Sequence, residues 1–554
     1  MTIARHRPEN KPYARNNETP RTNKLVGPVL PSIDNPPRRP NDDGYKNNNP
    51  MVSQAMNILY DERVDGRLPV VDKAALLQAL RQRLPDLAVL HTTEELRPYE
   101  CDGLSAYRTT PMLVVLPERV EQVQALLQLC DERQVPVVAR GAGTGLSGGA
   151  LPLEQGILLV MARFKQILEI DPAGRWARVQ PGVRNLAISQ AAAPHGLYYA
   201  PDPSSQIACS IGGNVAENAG GVHCLKYGLT VHNLLKIEML TIEGERLVLG
   251  SDALDSPGFD LLALFTGSEG LLGIITEVTV KLLPKPQVAK VLLASFDSVE
   301  RAGRAVADII AAGIIPGGLE MMDNLAIRAA EDFIHAGYPV DAEAILLCEL
   351  DGVEADVHDD CQRVHAVLKA AGATDVRQAC DEAERLRFWA GRKNAFPAVG
   401  RLSPDYYCMD GTIPRRALPG VLQGITRLGE EYGLRVANVF HAGDGNMHPL
   451  ILFDANQPGE LERAEGLGGK ILELCVEVGG SITGEHGVGR EKINQMCAQF
   501  NSDELTLFHA VKAAFDPAGL LNPGKNIPTL QRCAEFGAMH IHHGQLPFPE
   551  LERF

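Results

Sequence analysis

Apolar positions recur at helical spacing over about 118–132, where Val120, Val123, Leu126, Leu127 and Cys130 share one face. Short unbroken apolar runs flank this stretch. Met112-Leu-Val-Val-Leu116 and Val135-Pro-Val-Val-Ala139 read as buried strands. Further on, Arg178-Val-Gln-Pro-Gly-Val183 reads as a strand and turn, and a helix is predicted over about 183–193, stopped by Pro194 and Gly196. The β-branched run Ile274-Ile-Thr-Glu-Val-Thr-Val-Lys281 predicts another strand. Pro284-Lys-Pro286 then closes a first domain. Beyond it, strands predicted at 291–295, 344–348 and 436–440 alternate with helices over 300–312 and 356–371, giving a second α+β unit.

The strand at 135–139 runs into Arg140-Gly-Ala-Gly-Thr-Gly-Leu-Ser-Gly-Gly-Ala150, a loop with five glycines. Backbone without Cβ lets N–H groups approach a ligand and form an anion-binding nest. A Pro/Gly break and a second apolar run, Ile157-Leu-Leu-Val-Met161, follow. Strand–loop–strand is not the NAD fingerprint, whose glycines open a helix, and no Gly-Lys-Ser/Thr ending supports a P-loop. Two more polar blocks, Ala200-Pro-Asp-Pro-Ser-Ser205 and the glycine-rich Ser210-Ile-Gly-Gly-Asn-Val-Ala-Glu-Asn-Ala-Gly-Gly221, suggest a ligand longer than one phosphate. A set of ordinary surface loops is the bland alternative.

Composition narrows the field. The chain has 554 residues, 45% of them hydrophobic and 22% charged, so two or three soluble domains are expected. The net charge of −16 argues against nucleic acid as a partner. No apolar run approaches the roughly 20 residues of a membrane span. Eleven cysteines, scattered and without a Cys-x-x-Cys pair, fit a reducing compartment and argue against an iron–sulfur cluster held by this chain. Residues 1–55, rich in Asn, Pro and Arg, read as a disordered or mis-started extension, and a transit peptide is weakened by Glu9, Glu18, Asp34 and Asp42. Residues 529–554, with His540, His542 and His543, read as a surface tail.

A second chemical centre lies in the second unit. In Phe440-His-Ala-Gly-Asp-Gly-Asn-Met-His448, Asp444-Gly445 is a hairpin signal that could bring His441 and His448 together. Gly479-Gly-Ser-Ile-Thr-Gly-Glu-His-Gly-Val-Gly-Arg490 adds Glu485 and His486 in a glycine-rich loop. Two imidazoles and a carboxylate would suit an open divalent-metal site. On spacing alone, a core His441 and a loop His448 account for the pattern equally well.

Together, Arg140-Gly-Ala-Gly-Thr-Gly145, Pro201-Asp-Pro-Ser204, Gly212-Gly-Asn-Val-Ala-Glu-Asn-Ala-Gly-Gly221, Gly267-Ser-Glu-Gly270, His441–His448 and Gly484-Glu-His-Gly-Val-Gly489 resemble the FAD-linked oxidase family of the vanillyl-alcohol-oxidase type. Tyr99-Glu-Cys-Asp-Gly-Leu-Ser-Ala-Tyr-Arg108 and Phe388-Trp-Ala-Gly-Arg-Lys-Asn394 are similar to its glycolate-oxidising branch. The resemblance covers about 56–554. It implies an α+β fold: a two-part PCMH-type FAD-binding domain at 56–287, then a substrate and metal domain with an antiparallel sheet at 288–528.

The same resemblance implies roles for individual residues. Arg140, Gly141, Ala142, Gly143, Thr144 and Gly145 would hold the FAD pyrophosphate. Pro201, Ser204, Gly213, Asn214 and Gly220 would line the flavin ring and its ribityl chain, with Glu269 and Ile274 near the adenine half and Glu217 and Asn218 as further cofactor-binding residues. Thr144 stands where covalent members carry a histidine, so FAD should be non-covalent. His441, His448 and Glu485 would bind a divalent metal, commonly zinc; Arg392 would pair with a substrate carboxylate and His486 would take the hydroxyl proton. Relatives that oxidise longer diacids carry a lysine where Cys408 stands, which points to a short substrate. The expectation is FAD-dependent oxidation of glycolate to glyoxylate, with electrons passing to a second flavin subunit and an iron–sulfur subunit at the cytoplasmic membrane face. A D-lactate dehydrogenase is the first rival. A flavin-binding scaffold without catalysis is the second, and the intact His/His/Glu set speaks against it.

Overall fold

The computed structural model describes residues 70–253 and 258–529. The expected extension at 1–55 and, apart from Thr529, the expected tail with its three histidines lie outside the described residues.

The first sheet carries the glycine loop. Leu113–Leu116, Ile157–Val160 and Val137–Arg140 run parallel with Ile157–Val160 between the other two, and Ala88–Leu90 adds an antiparallel edge. Alternate residues enter two different cores. Leu113, Val115, Val137, Ile157 and Leu159 pack with Leu76 and Leu80 of helix Lys73–Arg83 and with Val123, Leu126 and Leu127 of helix Val120–Arg133. Val114, Val138, Leu158 and Val160 pack on the other face around Leu96. Burial on both faces is why these strands show unbroken apolar runs rather than alternation.

The second sheet has five antiparallel strands in the order Ile167–Asp171, Trp176–Val179, Ile274–Lys281, Leu234–Leu240, Arg246–Gly250. The helix predicted over 183–193 begins at Asn185, because Arg184 is held extended by a bridge to Ser210. Helices Asn185–Ala192 and Ile211–Glu217 place Ile188, Ile211 and Val215 in this sheet's core.

The third sheet is antiparallel and has nine strands. Its main path runs Asp375–Gln378, Val288–Phe296, Ala344–Gly352, Gly318–Asp323, Arg435–His441, Asn446–Met447, Gly411–Thr412. Pro449–Phe453 branches from Arg435–His441 and pairs with Asp405–Cys408. Gly318–Asp323 lies outside the predicted strands because Glu320 and Asp323 interrupt its apolar pattern. The last described stretch returns to the first sheet: Val137 donates its N–H to the Leu520 carbonyl at 2.8 Å, and Leu520 and Leu521 join that core. A cavity of about 450 Å³ opens along the seam, walled by the glycine loop on one side and by Arg392, His448, Glu485 and His486 on the other.

Candidate active site

The glycine loop is held from below. Gly103 donates to the Gly145 carbonyl at 2.9 Å, and Asp102 accepts from the Leu104 N–H at 3.0 Å and the Ala150 N–H at 3.4 Å. This explains the Tyr99–Arg108 motif: it straps the loop. Arg140 turns its guanidinium beneath the loop, where Nη1 donates to the Cys101 carbonyl at 2.6 Å. Gly143 has φ +73°, a left-handed backbone that favours glycine, and the Arg140 guanidinium packs against its Cα side.

Gly141, Ala142, Gly143, Thr144, Gly145, Ser204, Gly213, Asn214, Glu217, Gly220, Glu269 and Ile274 all line the cavity, as does Arg140. Pro201 and Asn218 stand behind its wall. The Pro201 carbonyl accepts from Asn185 Nδ2 at 2.9 Å, and Asn185 Oδ1 accepts from Asn214 Nδ2 at 2.9 Å. Asn218 caps helix Ile211–Glu217 at φ +54° and accepts from the Val231 N–H at 2.9 Å. Three buried oxygens of lining residues, Ser210 Oγ, Ser268 Oγ and Glu217 Oε2, have no partner among the described residues. Buried polar atoms of this kind require a ligand or water. A long, glycine-walled cleft with unpartnered hydroxyls fits a dinucleotide such as FAD.

The far end of the cleft assembles the second centre. Strand Arg435–His441 turns through Ala442–Gly445 into Asn446–Met447, with His441 and Asn446 cross-strand partners. Gly445 sits at φ +85°. The hairpin signal in Asp444-Gly445 is met, and the two imidazoles stand 5.1 Å apart between ring centroids. Glu485 Oε1 lies 3.2 Å from His441 Nε2 and 3.0 Å from His448 Nε2. The outer nitrogens are also engaged, His441 Nδ1 to Glu320 Oε1 at 2.8 Å and His448 Nδ1 to the Met409 carbonyl at 3.3 Å. Outer partners that fix each imidazole while the inner nitrogens converge are the arrangement of metal-ligating histidines. His441, His448 and Glu485 therefore fit a divalent ion. Gly220 approaches from the cofactor side, where a Cβ would meet Glu485 Oε2 at 2.5 Å.

Asp410 presents the Glu485–His486 loop. Its carboxylate accepts from the backbone N–H groups of Gly484, Glu485 and His486 at 3.0, 3.1 and 3.0 Å, and from Lys492 Nζ at 3.1 Å. Glu269, from the first domain, clamps the next turn by accepting from the Val488 and Gly489 N–H groups, both at 2.7 Å. Its carboxylate is thus committed to the protein, while the residue lines the cleft wall. His486 stacks on His448 with centroids 4.9 Å apart, and its Nδ1 has no partner among the described residues.

Burial sets the charges here. Desolvation would pull His441 down, but Glu320 and Glu485 on either side raise it well above the ordinary imidazole range. Burial would raise Glu485, yet His441 and His448 hold it well below the usual carboxylate range. His486 is pushed down to about 4 by burial, with His448 and Lys492 adding to the fall and Asp410 opposing it. At neutral pH it is an uncharged imidazole able to accept a proton.

Arg392 enters the cleft from helix Glu382–Lys393 and is 2% exposed. Its Nε and Nη2 both reach Glu320 Oε2, at 2.8 and 2.7 Å. Glu320, absent from the expected residues, therefore joins a metal-fitting imidazole to the carboxylate-binding candidate through its two oxygens. Its signal was a charge inside a strand's apolar run, since buried acids are rare unless paired. Asp410, also missed, follows Tyr406-Tyr-Cys-Met409 in the same way. Cys408 lies at the centre, its thiol within 4.8 Å of ring nitrogens of His448 and His486.

Comparison with known proteins gives the family. Residues 111–250 match the FAD binding domain family, and 285–526 match the FAD linked oxidases, C-terminal domain. Glycolate oxidase subunit GlcD of Escherichia coli (strain K12) is 82% identical over 499 residues, covering 90% of this chain and 100% of that protein. D-lactate dehydrogenase of Archaeoglobus fulgidus is 33% identical over 422 residues, 76% of this chain and 92% of that one. The crystal structure of p-cresol methylhydroxylase with substrate bound shares the fold, with a TM-score of 0.69 at 18% identity over 83% of this chain and 97% of that chain. The α+β architecture is that of the PCMH-type FAD-binding fold with its antiparallel C-terminal domain. The chain belongs to the FAD-linked oxidase family, on the glycolate oxidase branch that includes GlcD, and is an FAD-binding oxidoreductase.

Proposed function

We propose that this chain oxidises glycolate to glyoxylate at the far end of the FAD cleft. The observation that carries the reading is Glu320, which holds His441 and Arg392 by its two oxygens and so fixes the grips for a hydroxyl and a carboxylate on one small molecule. FAD, held non-covalently, supplies the two-electron acceptor for the substrate's Cα hydride at N5. A divalent ion, zinc by its preference for imidazole and carboxylate donors, supplies the positive charge that makes the hydroxyl proton easier to lose. His441, His448 and Glu485 hold that ion. Arg392 offers the substrate carboxylate its remaining N–H groups, already oriented by Glu320. Neutral His486 accepts the hydroxyl proton, its Nδ1 having no partner among the described residues and being open for it. The loop Arg140–Gly145 holds the pyrophosphate, and Ser204, Gly213, Asn214 and Gly220 orient the flavin.

If Glu320 is the shared anchor, Glu320→Gln removes the negative charge from both of its links. Metal retention should fall roughly 10- to 100-fold, measured as bound metal against a competing chelator, and KM for glycolate should rise with it. Unchanged values of both would remove Glu320 from the account.

Substrate length follows from Cys408, which is buried beside His448 and His486 and cannot hold a second carboxylate. Glycolate ranks first and D-lactate second; relatives named D-lactate dehydrogenase support the second reading. The test is kcat/KM for glycolate, D-lactate, L-lactate and D-2-hydroxyglutarate. A higher value for D-2-hydroxyglutarate than for glycolate would refute the assignment.

Electrons leave through partners, a second flavin subunit and an iron–sulfur subunit. The relative's name as a subunit supports a complex, and this chain has no Cys-x-x-Cys pair to hold a cluster. Among the described residues no helix is long and apolar enough to cross a membrane. The complex is placed at the cytoplasmic membrane face through those partners.

A further inference from the structure

We propose that His223 is a positioning residue for substrate binding, tying the flavin-side loop at 201–205 to the helix that delivers Arg392. This rests on the proposed role of Arg392. His223 lies in the first domain, in Gly220-Gly-Val-His223, just past the glycine block. Its Nδ1 is 2.9 Å from Asp202 Oδ2, and its backbone N–H donates to Asp202 Oδ1 at 3.2 Å. Asp202 stands two residues before Ser204, which lines the cleft. On the other side, His223 Nε2 is 3.2 Å from Glu349 Oε1, in the third sheet. Both ring nitrogens thus face carboxylates, one from each domain.

Glu349 passes the link on. Its Oε2 accepts from Arg385 Nη1 at 2.7 Å and Trp389 Nε1 at 2.5 Å, both in helix Glu382–Lys393. Residues 385, 389 and 392 fall four and three apart, on one face of that helix. Strand register sets the other end. Gly318 is opposite Glu349 and Glu320 is opposite Leu347, so Glu349 and Glu320 stand on the same sheet face two residues apart. The helix is therefore pinned twice to one sheet face, by Arg385 and Trp389 on Glu349 and by Arg392 on Glu320. His223 extends the first pin to the flavin side. A half-buried charged ring between two carboxylates agrees with its surroundings: desolvation would lower His223, but Asp202 and Glu349 raise it well above the ordinary range.

The two domains have a separate tie beside it. Lys226 Nζ reaches Asp351 Oδ1 at 2.6 Å and Tyr227 donates to Asp351 Oδ2 at 2.6 Å. Loss of His223 should therefore leave the domains joined while relaxing the helix.

The experiment uses the FAD-loaded protein with glycolate. His223→Leu is expected to raise KM roughly tenfold, with kcat within about twofold and FAD content unchanged. His223→Gln, which keeps a donor for one carboxylate, should fall between Leu and the native residue. In an Arg392→Lys background, His223→Leu should add no further rise in KM. An unchanged KM, an additive rise in the Arg392→Lys background, or a fall in kcat accompanied by FAD loss would each overturn the positioning role. A native protein that no 2-hydroxy acid reduces would instead sink the proposed function, and is told apart by the native control.

Discussion

Replacing His486 by asparagine is expected to lower kcat for glycolate by roughly 10² to 10⁴, the usual contribution of a positioned general base. Flavin content and melting temperature should stay near native. The reason is that the loop is held through its backbone: the His486 N–H donates to Asp410, a bond asparagine keeps. The His486 side chain contributes a stack on His448 and an Nδ1 without a partner among the described residues. Its pH behaviour gives a second measurement. Because the folded value lies near 4, the base is neutral and ready above that pH and is lost as pH falls through it. The acid limb of kcat/KM that reports His486 should then lie near 4. A limb near the ordinary imidazole value of about 6.5 would contradict the assignment.

Converting Glu485 to glutamine should cut kcat/KM roughly a thousandfold, about 4 kcal/mol of transition-state stabilisation. The carboxylate supplies the negative charge between His441 and His448, and an amide supplies none. Bound metal should fall in parallel, measured by elemental analysis of the purified variant. The native site also predicts a pH trend. A charged His441 is favoured by Glu320 and Glu485, so an incoming cation must displace that proton. Metal affinity should therefore weaken as pH falls. Glu485→Gln with native metal content and native rate would remove Glu485 from the metal site.

Much of this was legible in the chain because the signals were local. Val120–Arg133 and the strands at 113–116, 137–140 and 157–160 form from periodicity and apolar runs, which neighbours in sequence decide. Gly445 marks a place where only glycine fits, and Gly143 a left-handed turn that favours it. Glu320, Asp410 and His223 were not legible, because each acts across 70 or more residues of chain. Glu320 meets Arg392 72 residues away, Asp410 meets His486 76 away, and His223 meets Glu349 126 away. Sequence gives the type of such a residue and not its partner. The same limit applies to Glu269, which reads as part of the cofactor wall yet holds a loop 219 residues further on.

The claim on which the rest depends is that a hydroxy acid is gripped against the flavin by the His441, His448 and Glu485 metal site together with Arg392. Anaerobic titration with glycolate, following flavin absorbance with and without a chelator, tests it most directly. The account predicts bleaching that a chelator abolishes and that a divalent metal restores. Full bleaching at the same rate in the chelated protein would contradict it.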